Sequence, residues 1–230
     1  MTTIFVAGSP EINVRVTRSA RARRLSLRVS SLDGRVTLTA PNYISARKIE
    51  LFVQEKASWL RENIGQVPNQ IRVQTGTEIP ILGQHVRIEK TAERRVWREN
   101  GRLFIPQHKS KPAARVLGYL KSLARDVLTE KSDFYAGKLG LSYDKISLRD
   151  TRSRWGSCSQ DAALMFSWRL IMAPPDIVAY VAAHEVAHLQ HMDHSKQFWD
   201  AVEHIYGDFH PARLWLRENG SELHRYRFVD

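Results

Sequence analysis

Residues 184–188 read His-Glu-Val-Ala-His. On a helix, imidazoles four residues apart stand one above the other on one face, so His184 and His188 can both reach one Zn²⁺ at about 2.0–2.1 Å. Glu185 then projects toward the water such an ion would activate, where it can act as general base. A catalytic zinc needs a third protein ligand and one open position. His191 follows on the same face, but a straight helix would put it about 10.5 Å along the axis from His184, too far to share one ion. His194 is favoured instead, because it lies where the helix should end and the chain can turn back. Glu203 in the following helix is the alternative, with His204 and His210 as remoter candidates.

Three neutral imidazoles would leave the ion its full charge, so hydrolysis is the expected chemistry. The spacing to His194 equals that of metzincins, but their glycine three residues after the second histidine is His191 here, so the turn must differ. Tyr180, Tyr206 and Arg154 are candidate donors to a developing oxyanion. Arg152 and Arg154 are candidate substrate-binding residues, able to meet carboxylate or phosphate groups. Should the substrate be a nucleotide, Mn²⁺ or Mg²⁺ could replace zinc. His191 reads as a supporting polar group, Asp193 as a helix cap, and Cys158 as a small buried apolar residue. Trp155, Trp168, Phe198 and Trp199 read as core aromatics around the metal helix.

The elements that must position these groups are legible along the chain. Polar and apolar residues alternate on both sides of Asp33-Gly34, predicting a hairpin from Arg24 to Ala40. One amphipathic helix should follow from Ser45 to Asn63 and pack on it. Further strand pairs should turn at Leu82-Gly83-Gln84 and at Asn100-Gly101. A long helix is expected from Ser110 to about Gly140, with Pro112 in its first turn and Leu117, Leu120, Ala124, Val127, Leu128 and Tyr135 along its stripe. A hairpin with arms Ile146–Arg154 and Leu164–Ile171 should come next. An amphipathic metal helix from Asp176 to about Met192, a helix from Asp193 to Tyr206 and a last helix from Pro211 to Asn219 complete the chain.

The 230 residues carry a net charge of +11, with 43% hydrophobic residues and a mean hydropathy of −0.39, which excludes a disordered or collagen-like chain. Cys158, the only cysteine, excludes an internal disulfide and points to a reducing compartment. No stretch resembles a signal peptide or approaches a membrane span, so a cytoplasmic location is expected. Residues 1–150 hold 27 basic and 14 acidic side chains, whereas residues 151–230 hold 8 and 10. Seven of the nine histidines fall in the last 47 residues. The arginines between Arg15 and Arg24, with Arg28 and Arg35, could form a patch for nucleic acid or another polyanion, although no groove-reading motif accompanies them.

The run Arg152-Ser153-Arg154-Trp155-Gly156-Ser157-Cys158-Ser159, with Trp168-Arg169-Leu170, His184 to Leu189, Asp193-His194-Ser195 and Phe198-Trp199, resembles the YgjP-like predicted metal-dependent hydrolases, relatives of the SprT-like and WLM zinc metallopeptidases. The similarity extends upstream to Arg23-Arg24-Leu25 and the helix ending in Trp59. It implies a zincin-like domain with His184, His188 and His194 as ligands and Glu185 as general base, where relatives usually carry Asn at the position of Asp193. The expected class is α+β, with a β-rich basic region over residues 1–108 and a zincin-like catalytic domain over residues 109–230. The expected activity is zinc-dependent hydrolysis of a peptide or protein. Hydrolysis of a nucleotide or other phosphate ester, and a nucleic-acid-associated module with structural zinc, are the alternatives.

Overall fold

The computed structural model describes residues 2–229 except 9, 31, 68 and 109, and the chain divides into two compact units, residues 1–70 and 71–230. The class is α+β, as expected. In the first unit, strands β1 (Thr2–Val6), β2 (Ile12–Ser19), β3 (Ser26–Val29) and β4 (Val36–Pro41) form one sheet in the order β1-β2-β4-β3. The predicted hairpin is β3–β4, and it turns at Gly34, whose φ of +67° suits a residue without a Cβ. Alternation along β2 and β4 sends Ile12, Val14, Val16, Val36, Leu38 and Ala40 to one face, against Ile49, Val53 and Leu60.

Those three come from two helices rather than the single one expected: α1 (Ala46–Glu55) and α2 (Ala57–Gly65). Lys56, at φ −89° and ψ 9°, breaks the run. Ser45 caps α1 by accepting from the Lys48 N–H.

The second unit begins with β5 (Ile71–Arg72), β6 (Glu78–Ile81), β7 (Gln84–Thr91), β8 (Trp97–Glu99) and β9 (Arg102–Pro106). The last four make a sheet in the order β6-β7-β9-β8, turning at Leu82-Gly83 and at Asn100-Gly101 as the sequence indicates. Helix α3 (Pro112–Leu139) follows, stopped by Gly140 in the left-handed conformation. The expected division after residue 108 falls inside this unit. Ile79, Ile81, Val86, Ile88, Leu103 and Ile105 are buried in the same core as Leu120, Ala124 and Leu128 of α3, so sheet and helix cannot part there.

The segment that carries the site departs from the simple hairpin expected. Strand β10 (Lys145–Arg149) pairs parallel with β12 (Ala163–Ser167), and the antiparallel partner of β12 is the short β11 (Gly156–Cys158). Between β10 and β11 the chain turns, with the Thr151 hydroxyl donating to the Arg154 carbonyl and both Asp150 carboxylate oxygens taken by buried Arg169 at 2.6 and 3.2 Å. The same guanidinium donates to the carbonyls of Leu223 and Tyr226, fixing the C-terminal segment. Residues Trp168–Met172 form a 3₁₀ turn, not a strand end.

Helix α4 (Pro175–Ala187) comes next, then α5 (Lys196–Tyr206), α6 (His210–Asn219), a 3₁₀ turn and β13 (Tyr226–Arg227), which pairs with β5. The amphipathic reading of α4 is corrected: Ile177, Val178, Tyr180, Val181, Ala182, Ala183, Glu185, Val186 and Ala187 are all buried, so this is the central helix of the unit. Among the described residues no helix is long and apolar enough to cross a membrane.

Candidate metal centre

Helix α4 ends earlier than its sequence suggests, and this ending builds the site. The Leu189 and Gln190 N–H groups bond three residues back, to Val186 and Ala187, so the last turn tightens and the chain leaves the axis after His188. Asp193 then accepts from the Ser195 N–H, turning the chain into α5. Asp193 thus shapes the turn, and Ser195 holds the N-cap position.

This return brings His194 to the pair on α4. One ring nitrogen from each of His184, His188 and His194 lies within 4.8 Å of the others, and the Nε2 atoms of His184 and His194 are 3.2 Å apart. In a tetrahedral zinc site with bonds of about 2.0–2.1 Å, neighbouring ligand atoms stand about 3.3 Å apart, so these donors fit such an ion. Their protonation fits as well. Burial, and then the neighbouring His188 and His194, push His184 down to about 3, and burial lowers His188 too, so both rings offer a lone pair at neutral pH.

The groups behind the donors are uneven. His188 Nδ1 donates to the His191 carbonyl at 2.9 Å, which directs Nε2 into the cluster. His191 therefore supports the site through its backbone, and its ring is outside the cluster. His184 Nδ1 is buried and has no hydrogen-bond partner among the described residues. Phe198 of α5, fully buried, stacks on His188 at 4.3 Å and meets both other imidazoles at 4.9 Å. Glu203, His204 and His210 take no part in the cluster, and His210 pairs with Asp208.

The three rings open onto a cleft of about 630 Å³ lined also by Tyr180, Glu185, Met192, Leu216 and the run Ser153 to Cys158. Glu185 is 5% exposed, and burial pushes its carboxyl up to about 8 against the opposing pull of Arg154. Strand β11 passes directly over it. A Cβ on Gly156 would lie 2.5 Å from both Cγ and Oε1 of Glu185, so only glycine leaves room for the carboxylate. A glycine inside a strand is the sequence signal for such a close approach.

Of the other candidates, Arg154 lines the cleft and Arg152, exposed two residues earlier, does not. Tyr180 lines it with its ring 5.9 Å from His184, whereas the Tyr206 hydroxyl is spent on the Asp176 carbonyl. The Cys158 thiol is pushed up to about 11 by burial and by Glu185, which leaves it protonated and unsuited to nucleophilic attack. Trp168 is buried as expected, and Trp155 and Trp199 are partly so.

No curated protein matches the chain. Among solved structures, the metallopeptidase zymogen abylysin of Pyrococcus abyssi is similar to it at 19% identity over 42% of this chain and 92% of that one, with a TM-score of 0.34. The assignment rests instead on the family comparison, in which residues 23–219 match the YgjP-like metallopeptidase domain. With most of its length matched, the chain belongs to the YgjP-like family, and it is a metal-dependent hydrolase of the peptidase class.

Proposed function

We propose that this peptidase holds one zinc ion through Nε2 of His184, His188 and His194 and uses Glu185 as general base on peptide or protein substrates. The convergence of three nitrogen donors within 4.8 Å of one another, with one pair at 3.2 Å, open to a cleft, carries the reading. An all-imidazole set suits zinc better than Mg²⁺ or Mn²⁺, which favour oxygen ligands. Three protein ligands facing a cleft also argue against a structural zinc, which would be closed by a fourth. Bound there, the ion would supply a Lewis acid that polarises the scissile carbonyl and acidifies the attacking water.

The rest is the work of this chain's own side chains. Glu185, whose buried carboxyl is pushed up to about 8 without an ion and would be drawn back down by a dication beside it, takes a proton from the attacking water and returns it to the leaving amine. Gly156 keeps the space in which that carboxylate sits. Tyr180 is 5% exposed, and burial raises its pKa, so it stays a donor; its hydroxyl is assigned to the oxyanion. Arg154 faces the same cleft and would meet a substrate carboxylate.

Elemental analysis together with casein turnover tests the reading. One zinc per chain is expected, and Glu185→Gln should retain the metal and lose about 10²–10⁴-fold in kcat. Activity unchanged by that substitution, or hydrolysis of nucleoside triphosphates in place of casein, would overturn it.

A further inference from the structure

The sheet of the first unit covers one face with α1 and α2 and leaves the other exposed. Strand register places on that exposed face a row of Thr3, Arg15, Thr37 and Arg28, one residue from each of β1, β2, β4 and β3. A second row, Thr17, Thr39 and Ser26, runs beside it. No strand position on this face carries a carboxylate, although exposed sheets are ordinarily steadied by cross-strand pairs of opposite charge. Arg15 and Arg28, two strands apart, stand roughly 10 Å from each other.

The loop between β2 and β3 adds Arg21, Arg23 and Arg24. None of these five guanidinium groups has a hydrogen bond or ion pair among the described residues, whereas Arg18 is spent on the carbonyls of Pro41, Asn42 and Ile44. Three aromatic side chains are exposed in the same unit: Trp59 on α2, Phe5 on β1 at 60% and Tyr43 after β4 at 78%, and the last two belong to the strands and loops of the sheet. The Tyr43 hydroxyl reaches back to the Arg23 carbonyl at 3.1 Å, which holds that ring beside the basic loop.

We propose that this face binds single-stranded nucleic acid without sequence preference. Arginine, threonine, serine and asparagine are the side chains that contact phosphate and sugar oxygens, and Asn13 on β2 completes the set. A cationic sheet flanked by exposed rings can take a backbone along its rows while unstacked bases lie on Phe5 and Tyr43. An acidic protein surface would satisfy the arginines but would leave both rings without a role. The face lies wholly within residues 1–70 and owes nothing to the metal centre.

Fluorescence anisotropy of the full chain with labelled oligothymidylate tests the proposal. Binding should be tighter than to a duplex of the same length or to polyglutamate. Arg15→Gln with Arg28→Gln should lower affinity about tenfold or more and make the log–log salt slope shallower by about 1.4, the value for two phosphate contacts on a single strand. Lys48→Gln, on the helical side, should change neither quantity. Unaltered thermal unfolding of the double variant separates lost contacts from lost folding. Absence of binding at low salt, equal affinity for polyglutamate, a preference for the duplex, or an equal loss in Lys48→Gln would each overturn it.

Discussion

The cleft around α4 and the sheet of residues 1–70 use ionisable groups in opposite ways. Around α4 a few such groups are sunk among apolar side chains, and their proton affinities are displaced, His184 down to about 3 and Glu185 up to about 8. In residues 1–70, eleven basic side chains against five acidic ones stand mostly in water, and on the sheet the effect comes from number and register. The physical difference is desolvation. A buried charge must be matched by a specific partner or be neutralised, while an exposed one is screened within about 10 Å at 0.1 M salt. Single changes should therefore be severe in the first region and mild in the second.

The largest effect is expected at the ligands. His188→Ala should abolish stoichiometric zinc by elemental analysis, and His191→Ala should retain it, because only the His191 backbone carbonyl is used. Metal loss in His191→Ala with retention in His188→Ala would reverse the assignment. Next comes Gly156→Ala, where the new Cβ displaces Glu185 and a misplacement of about 1 Å is worth about 100-fold in rate. Metal content should not change, and a rate within a few-fold of wild type would mean that Glu185 can give way. Tyr180→Phe keeps the ring packed against His184, Tyr206 and Phe209 and deletes only the hydroxyl. It should lower kcat about 10²-fold with little change in KM, as seen when one oxyanion donor is lost.

The metal-free protein should show the same contrast in its pH dependence. His184 is held below its ordinary value, so the stability it contributes is present above about 6.5 and lost as pH falls toward 3. Glu185 is held above its ordinary value, so its contribution is present below about 4.5 and lost as pH rises through 8. Urea unfolding in a chelator should give a curve that falls on both sides, and Glu185→Gln should flatten the alkaline side. The smallest effect is expected on the sheet: Arg15→Ala should shift stability by no more than about 0.5 kcal/mol. A larger loss there would show that the exposed face is tied to the fold.

Legibility followed the range of the interactions. The hairpin turn at Gly34, the turns at Leu82-Gly83 and Asn100-Gly101, and the limits of α3 at Pro112 and Gly140 each depend on residues within a turn of one another, and all appear where the sequence places them. The break at Lys56 did not show, because propensity favours continuing the helix and only packing on the sheet favours bending it. The early end of α4 was hidden for a similar reason, since its tightened last turn is completed by His191 and Asp193 further along the chain.

The sequence by itself determined the pairing of His184 with His188 and the place of Glu185 between them, because helical periodicity is a property of neighbouring residues. Only the tertiary structure decided that most of α4 would be buried, that β11 would cross Glu185 at Gly156, that β10 and β11 would flank β12, and that the units would divide after residue 70. Those outcomes arise from contacts between segments far apart in the chain. Their energies belong to shared burial, and no local pattern of residue types records it.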